Sequence, residues 1–173
     1  HGRLNLHGAI EQSCDTYFYQ MGARLGIEQM AQFLFGFGLG QKSGVDLPSE
    51  PTGLVPTPKW KRASRQEVWY PGEDVITAIG QGYLLTTPLQ LARAAAMLAN
   101  RGQPVVPKLL RSEQDAFSVA VPLVSPGPVT TAVSPLVNQK GIDQVIRSMT
   151  AVMHGPRGTA RASGRRSAYR MAG

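Results

Sequence analysis

The stretch Ala78-Ile79-Gly80-Gln81-Gly82-Tyr83-Leu84-Leu85-Thr86-Thr87-Pro88-Leu89-Gln90-Leu91-Ala92 decides how the rest of the chain is read. Its second half is a helix start. The Thr87 hydroxyl can accept an orphan backbone N–H. Pro88 then stands at the first helical position, where a missing N–H costs nothing, and Gln90 completes a capping box with Thr87. The spacing predicts a helix over Pro88 to Asn100, with Leu91, Ala94, Ala95 and Leu98 as a narrow apolar stripe suited to close packing. Gly102 follows as a C′ residue that tolerates a left-handed backbone. Gly80-Gln81-Gly82 reads as a turn before this helix, yet capping alone does not explain why that triplet stands there.

Upstream, Ile10, Tyr17, Phe18, Met21 and Leu25 recur at helical spacing over Leu6 to Leu25, with a possible break near Ser13. A second helix is expected from Ile27 to Phe35, ended by Gly36, Gly38 and Gly40. Downstream, Val105 to Leu110 suggests a short strand that Pro104 and Pro107 confine to an edge. Residues 111–133 carry no clear pattern. Ser134-Pro135 opens an expected helix over Leu136 to His154, with a core stripe of Ile142, Val145, Ile146, Met149, Val152 and Met153. Tyr169 to Ala172 has the start of a strand. Pro and Gly cluster at 48–58 and 122–128, which read as loops, and no repeat of 20–50 residues is visible.

With 173 residues, 42% of them hydrophobic, the chain can bury one real core but not two large ones. It has no run of about 18 apolar residues, so no segment reads as a membrane helix, and it has no signal peptide. Both ends read as cuts through a larger protein. A single cysteine, Cys14, forbids an internal disulfide and leaves the redox compartment open. The net charge is +7, with excess at Arg157, Arg161, Arg165, Arg166 and Arg170. No aromatics interleave with these arginines as a base-stacking platform requires. A solvated basic face is therefore the reading, and nucleic acid is not an expected partner.

Self-contained catalytic sets are scarce. His1, His7 and His154 lack metal-ligand spacing. No G-x-S-x-G elbow and no P-loop exist. Gly36, Gly38 and Gly40 follow a helix rather than a strand, which argues against a dinucleotide fingerprint. One segment, Glu11-Gln12-Ser13-Cys14-Asp15-Thr16-Tyr17-Phe18, places three small polar residues inside an apolar helix. Read alone, it is a helix junction in which Ser13 caps the second helix.

Taken together, Ile79 to Ala92 and its continuation Met97-Leu98-Ala99-Asn100-Arg101-Gly102 resemble the hallmark of the transpeptidase domain of class B penicillin-binding proteins. Ser13-Cys14-Asp15 stands where that family has S-x-N. Further family-like context is Phe37-Gly38, Gly44-Val45-Asp46-Leu47-Pro48 with Glu50, Pro56-Thr57-Pro58-Lys59-Trp60 and Trp69-Tyr70-Pro71-Gly72. Gly158-Thr159-Ala160 and Tyr169 to Gly173 resemble the approach to K-S/T-G. Ser-x-Asp followed by Thr16-Tyr17-Phe18-Tyr19 points to the elongation-specific type, penicillin-binding protein 2.

The resemblance implies an α+β, penicillin-recognising serine transpeptidase or β-lactamase-like fold. Residues 1–173 would be its central, mostly helical part. The family chemistry uses S-x-x-K for the nucleophile and its lysine, S-x-N beside them, and K-S/T-G along the substrate strand. No S-x-x-K occurs, so the nucleophile is expected before His1, and K-S/T-G after Gly173. Lys42-Ser43-Gly44 is read as a decoy, because no strand pattern leads into it. By resemblance Ser13 relays protons or bonds to the missing serine and lysine. Asp15 replaces the family Asn, and an ionised carboxylate only accepts where an amide also donates.

The resemblance also implies that some members bind metal near this motif, here through His1 and Cys14 with carboxylates from upstream. Zinc is thus a possible ligand, although catalysis needs no cofactor. A buried inert thiol is the other reading of Cys14. The implied substrates are peptidoglycan stem peptides, with β-lactams as acylating inhibitors. The implied setting is a cell-wall synthesis complex that includes a glycosyltransferase, at the periplasmic face of the inner membrane. Rival readings are a non-catalytic sensor or scaffold of the same fold and an anion-binding module.

Without S-x-x-K, this chain alone is expected to form no covalent adduct with a fluorescent penicillin on a denaturing gel. A stable, stoichiometric ester on any of its serines would contradict the reading.

Overall fold

The computed structural model describes residues 1–109 and 138–173, and its element order is α1 (Leu6–Glu11), α2 (Asp15–Gly36), α3 (Pro58–Arg65), α4 (Pro71–Thr77), α5 (Pro88–Ala99), α6 (Gln139–His154) and α7 (Arg161–Gly164). Among the described residues the one β pairing is an isolated antiparallel bridge between Leu54 and Leu85. The expected predominance of helix is therefore met.

The N-terminal helical run is interrupted twice. Residues 12–14 separate α1 from α2, near the expected break at Ser13. Gly26, at φ 71° and ψ 161°, then kinks α2 just before the expected second start at Ile27. The kink frees the Ile27 N–H, which donates to Asp74 Oδ1 at 3.0 Å, while Trp69 Nε1 donates to the same oxygen at 2.8 Å. Asp74 lies in α4, the main packing partner of α2. Their approach is close: a Cβ on Gly22 would lie 2.9 Å from Asp74 O.

Helices α3 and α4 were not anticipated, although their signals repeat those of α5. Thr57 caps α3 by accepting from Trp60 N–H at 3.1 Å, and Pro58 follows at the first position. Pro71 opens α4, where Glu73 reaches back to accept the Tyr70 N–H at 2.8 Å. Lys61 joins the two helices. Its side chain is 1% exposed, with Nζ 2.6 Å from Glu73 Oε1 and 3.3 Å from Glu67 Oε2. The ammonium also sits 4.7 Å from the Tyr70 ring centre and 5.7 Å from that of Tyr83. Burial disfavours both charges, but mutual hydrogen bonding outweighs it, holding Lys61 above and Glu73 below their ordinary values.

Gly80-Gln81-Gly82 now has an explanation. Gly80 and Gly82 take φ of 75° and 76°, which a side chain tolerates poorly. The turn closes on α4 through Gln81 N–H to Ile76 O at 3.0 Å, and it delivers Leu85 to its bridge with Leu54. That bridge adjoins the core cluster of Ala31, Leu39 and Val55, on which Leu34 and Leu84 pack.

Helix α5 begins as expected. Thr87 accepts from Gln90 N–H, and Gln90 Oε1 accepts from Thr87 N–H. Its inward face differs from the expected stripe: Gln90, Arg93 and Met97 are buried, while Leu91 is 54% exposed. The reason is polar. Gln90 Oε1 also accepts from Thr86 Oγ1 at 3.1 Å, and Nε2 donates to Gln41 O at 2.8 Å and Thr52 O at 2.7 Å. All four hydrogen-bonding positions of the amide are thereby filled. Gly53 leaves the space, since a Cβ there would lie 2.8 Å from Gln90 Oε1. Arg93 packs under Gly38 and donates through Nε to Val105 O at 2.9 Å. Burial lowers the proton affinity of Arg93, against the opposing charge of Glu50.

Among the described residues neither expected strand forms. Residues 105–109 are irregular, since Val105 O is taken by Arg93 and the Leu109 N–H by Asp46. Tyr169 to Ala172 has no partner strand among the described residues. Met171 N–H donates to His154 Nε2 and Gly173 N–H to Met149 O, both at 3.0 Å. Helix α6 spans Gln139–His154, with Asn138 as an extended cap accepting from Lys140 N–H, and the expected first residues from Leu136 lie outside the described residues. Of its expected stripe Ile142 and Val152 are buried, together with Ser148, and the other four positions are half-buried. Leu110, the irregular segment 111–133, the loop 122–128 and the Ser134-Pro135 start lie outside the described residues.

Gln90→Met, similar in volume, strands Gln41 O and Thr52 O and should cost about 2–4 kcal/mol in denaturant unfolding of the intact domain. Leu91→Ala should stay within about 0.5 kcal/mol. The reverse order would restore the apolar-stripe account.

Candidate active site

Ser13 closes α1 rather than opening α2. Its N–H donates to Ile10 O at 3.2 Å, and Cys14 N–H donates to Ala9 O at 2.9 Å. This double bond is a Schellman ending, in which the penultimate residue takes a left-handed backbone. Ser13 occupies that position with φ 50°. Glycine is the residue that adopts this conformation freely, whereas a side chain there costs about 1 kcal/mol or more. Cys14, not Ser13, is the N-cap of α2, and its side chain makes no capping bond. The reading of Ser13 as a helix cap is therefore corrected.

The left-handed turn leaves the Ser13 hydroxyl exposed and 3.2 Å from Thr159 Oγ1. The two residues are 146 positions apart. Thr159 belongs to Gly158-Thr159-Ala160, a segment singled out only as context, and its role was not foreseen. Its N–H donates to Glu11 O at 3.3 Å. Glu11 is 7% exposed, and its Oε1 accepts the Arg157 N–H at 3.1 Å. Asp15 is exposed at the first position of α2, where a carboxylate is favoured by the helix dipole.

A serine, a histidine and a carboxylate also align elsewhere. His7 Nδ1 lies 3.0 Å from Ser148 Oγ, and His7 Nε2 lies 4.0 Å from Glu11 Oε2. Ser148 is fully buried and donates its proton to Gln144 O at 2.7 Å. Its hydroxyl is thus an acceptor for the imidazole, not an accessible nucleophile. Lys42-Ser43-Gly44 lies in the loop between α2 and α3. Ser43 is fully buried, with its N–H on both Glu50 carboxylate oxygens at 2.9 Å and its Oγ accepting from Val45 N–H at 3.3 Å. No strand carries it.

His1 and Cys14 line one cavity of about 390 Å³, together with Arg3, Tyr17 and Gln20. They offer two of the four donors of tetrahedral zinc. Among the described residues no group of three His, Cys, Asp or Glu side chains assembles, and the guanidinium of Arg3 opposes a cation. The residues present therefore do not make a zinc site by themselves.

The family description "Penicillin binding protein transpeptidase domain" matches residues 1–173. The peptidoglycan D,D-transpeptidase MrdA of Acinetobacter baumannii is 53% identical over 116 residues, covering 67% of this chain and 17% of that protein. Among solved structures, Pseudomonas aeruginosa PBP2 in complex with WCK 5153 superposes with a TM-score of 0.82 at 40% identity, over 98% of this chain and 37% of that one. Helicobacter pylori PBP2, solved in complex with MreC, gives 0.81 at 33% identity, over 99% and 30%. The chain thus spans a minor part of each relative.

Ser13→Gly should leave the unfolding free energy of the domain unchanged or raise it by up to about 1 kcal/mol, because glycine relieves the left-handed strain. A loss of about 1 kcal/mol or more, the usual cost of removing a helix cap, would contradict the Schellman assignment.

Proposed function

Because the chain belongs to the penicillin-binding protein transpeptidase domain family, we propose that it forms the central part of a peptidoglycan D,D-transpeptidase. The observation that carries the reading is Ser13, an exposed hydroxyl held out by a left-handed backbone beside Thr159. Ser49, Gln66 and Arg101 share the left-handed backbone, so the support for chemistry at Ser13 is the placing of its exposed hydroxyl against that of Thr159, in the position of the family S-x-N serine.

In this reading the nucleophile and its lysine come from an S-x-x-K outside these residues, and K-S/T-G follows them. The serine Oγ attacks the carbonyl of the penultimate D-alanine of a stem peptide, and its proton passes to the lysine. Ser13 both donates and accepts, so it hands that proton toward the departing D-alanine amine. The acyl-enzyme is then taken by the amine of a neighbouring peptide. Asp15 accepts from the charged lysine and orients the network. β-Lactams acylate the same serine.

The intact protein would act at the periplasmic face of the inner membrane. No helix among the described residues is long and apolar enough to cross a membrane. A cell-wall synthesis complex with a glycosyltransferase is the proposed setting; that such a domain takes protein partners is in keeping with the complex of the H. pylori relative with MreC.

In the full-length protein, Ser13→Ala should slow acylation by a chromogenic β-lactam roughly ten- to a thousandfold in stopped flow, with circular dichroism unchanged. Asp15→Asn should retain substantial activity. Wild-type rates in Ser13→Ala would overturn the assignment.

A further inference from the structure

The contact between Ser13 and Thr159 joins two exposed hydroxyls on segments far apart in sequence, and exposed pairs of this kind do not hold themselves in place. What holds this one is legible one turn back. Glu11 ends α1 two residues before Ser13 and is almost completely buried. Its side chain holds the turn carrying Thr159 through Oε1 on the Arg157 N–H, while the main-chain carbonyl at the same position, which any residue supplies, accepts the Thr159 N–H. Two glycines let the turn come this close. A Cβ on Gly155 would overlap Glu11 Oε1, and one on Gly158 would overlap Ala151 O and Val152 O at the end of α6. From the other side, Ala160 N–H donates to Val152 O at 3.1 Å. The turn is thus pressed between α6 and the Glu11 carboxylate. That carboxylate is acceptor-only and buried, and it takes a backbone N–H that would otherwise lose its partner.

We propose that Glu11 is a positioning residue for the transpeptidase site, setting Thr159 Oγ1 against Ser13 Oγ through its hold on the 155–159 turn. Thr159 in turn fixes the rotamer of the Ser13 hydroxyl, which the proton relay needs. The inference rests on the role of Ser13 proposed above. Glu11 is 7% exposed with its carboxylate on the Arg157 N–H, and a residue that acts only through that turn should, when lost, lower the rate of the chemical step and leave β-lactam recognition unaltered. A displaced catalytic contact of this kind is worth roughly tenfold or more.

The test uses the full-length protein and a chromogenic β-lactam, with the acylation rate constant separated from the binding constant. Glu11→Ala should lower the rate constant about tenfold at constant binding. Glu11→Gln, whose amide oxygen still accepts the Arg157 N–H, should restore it to within about threefold. Thr159→Val should slow acylation comparably, and adding Glu11→Ala to Thr159→Val should cost little more, because both act on one contact. Wild-type rates in Glu11→Ala, or losses that multiply in the double variant, would overturn the inference. If Glu11→Ala does not fold, Thr159→Val and Glu11→Gln carry the test: a wild-type rate in the first or a tenfold loss in the second would overturn it. Ser13→Ala measured alongside separates the two proposals. A slow Ser13→Ala with a fast Glu11→Ala sinks the role of Glu11 alone, while a fast Ser13→Ala sinks both.

Discussion

The buried amide of Gln90 is the interaction on which the arrangement of the helices depends. It is fully buried, and its four bonds reach Gln41 O, Thr52 O, Thr86 Oγ1 and Thr87 N–H. Two points of the connection between α2 and α3, Gln41 and Thr52, are tied to the start of α5 by one side chain. A buried amide with every valence met stabilises and specifies at once, because any shift of a loop leaves a carbonyl unpaired. The apolar core beside it is small: Ala31, Leu39 and Val55. Four of the six largest fully buried side chains are polar, namely Lys61, Gln90, Ser43 and Ser148. Much of the specificity of this fold therefore lies in satisfied polar contacts.

The same logic reaches the candidate site. Lys61 binds α3 to α4 and places Tyr83. Asp74 takes up the N–H released by the Gly26 kink and fixes α2 on α4. Glu11 ties the end of α1 to the turn after α6. Each is a carboxylate or ammonium spent on backbone or ion-pair satisfaction rather than on chemistry. Ser13, like Ser49, Gln66 and Arg101, has a left-handed backbone that its own side chain disfavours, but its hydroxyl meets a second hydroxyl, that of Thr159, 146 positions away. The left-handed turn therefore does not single Ser13 out by itself; the long-range contact between its hydroxyl and that of Thr159 does.

Much of this was legible in the chain. The cap of α5, the break near Ser13, the glycine stop after α2 and the predominance of helix followed from residue chemistry. The run from Ile79 to Gly102 carried the family. Three of the misses share one cause. The Leu91 stripe, the strand at Val105 and the strand at Tyr169 were read from apolar or β-forming residues, but backbone groups in each region are claimed by polar side chains: Gln90, Arg93, Asp46 and His154. Those pairings span from 12 to 63 positions, beyond the reach of periodicity. Thr57-Pro58 did carry a signal for α3, identical in kind to Thr87-Pro88, and it went unused. The backbone role of Ser13 was misread, because a serine between two helices resembles an N-cap until the carbonyls that its turn serves are seen.

The central claim is that the left-handed turn at Ser13 presents its hydroxyl to a serine–lysine pair supplied from outside residues 1–173. A crystal structure of the full-length protein acylated by a β-lactam tests this most directly. The account predicts the Ser13 Oγ within about 2.7–3.2 Å of the lysine nitrogen or of the acylated serine oxygen, with Thr159 still against it. A Ser13 hydroxyl pointing away from that pair, beyond reach even through one bridging water, would contradict it.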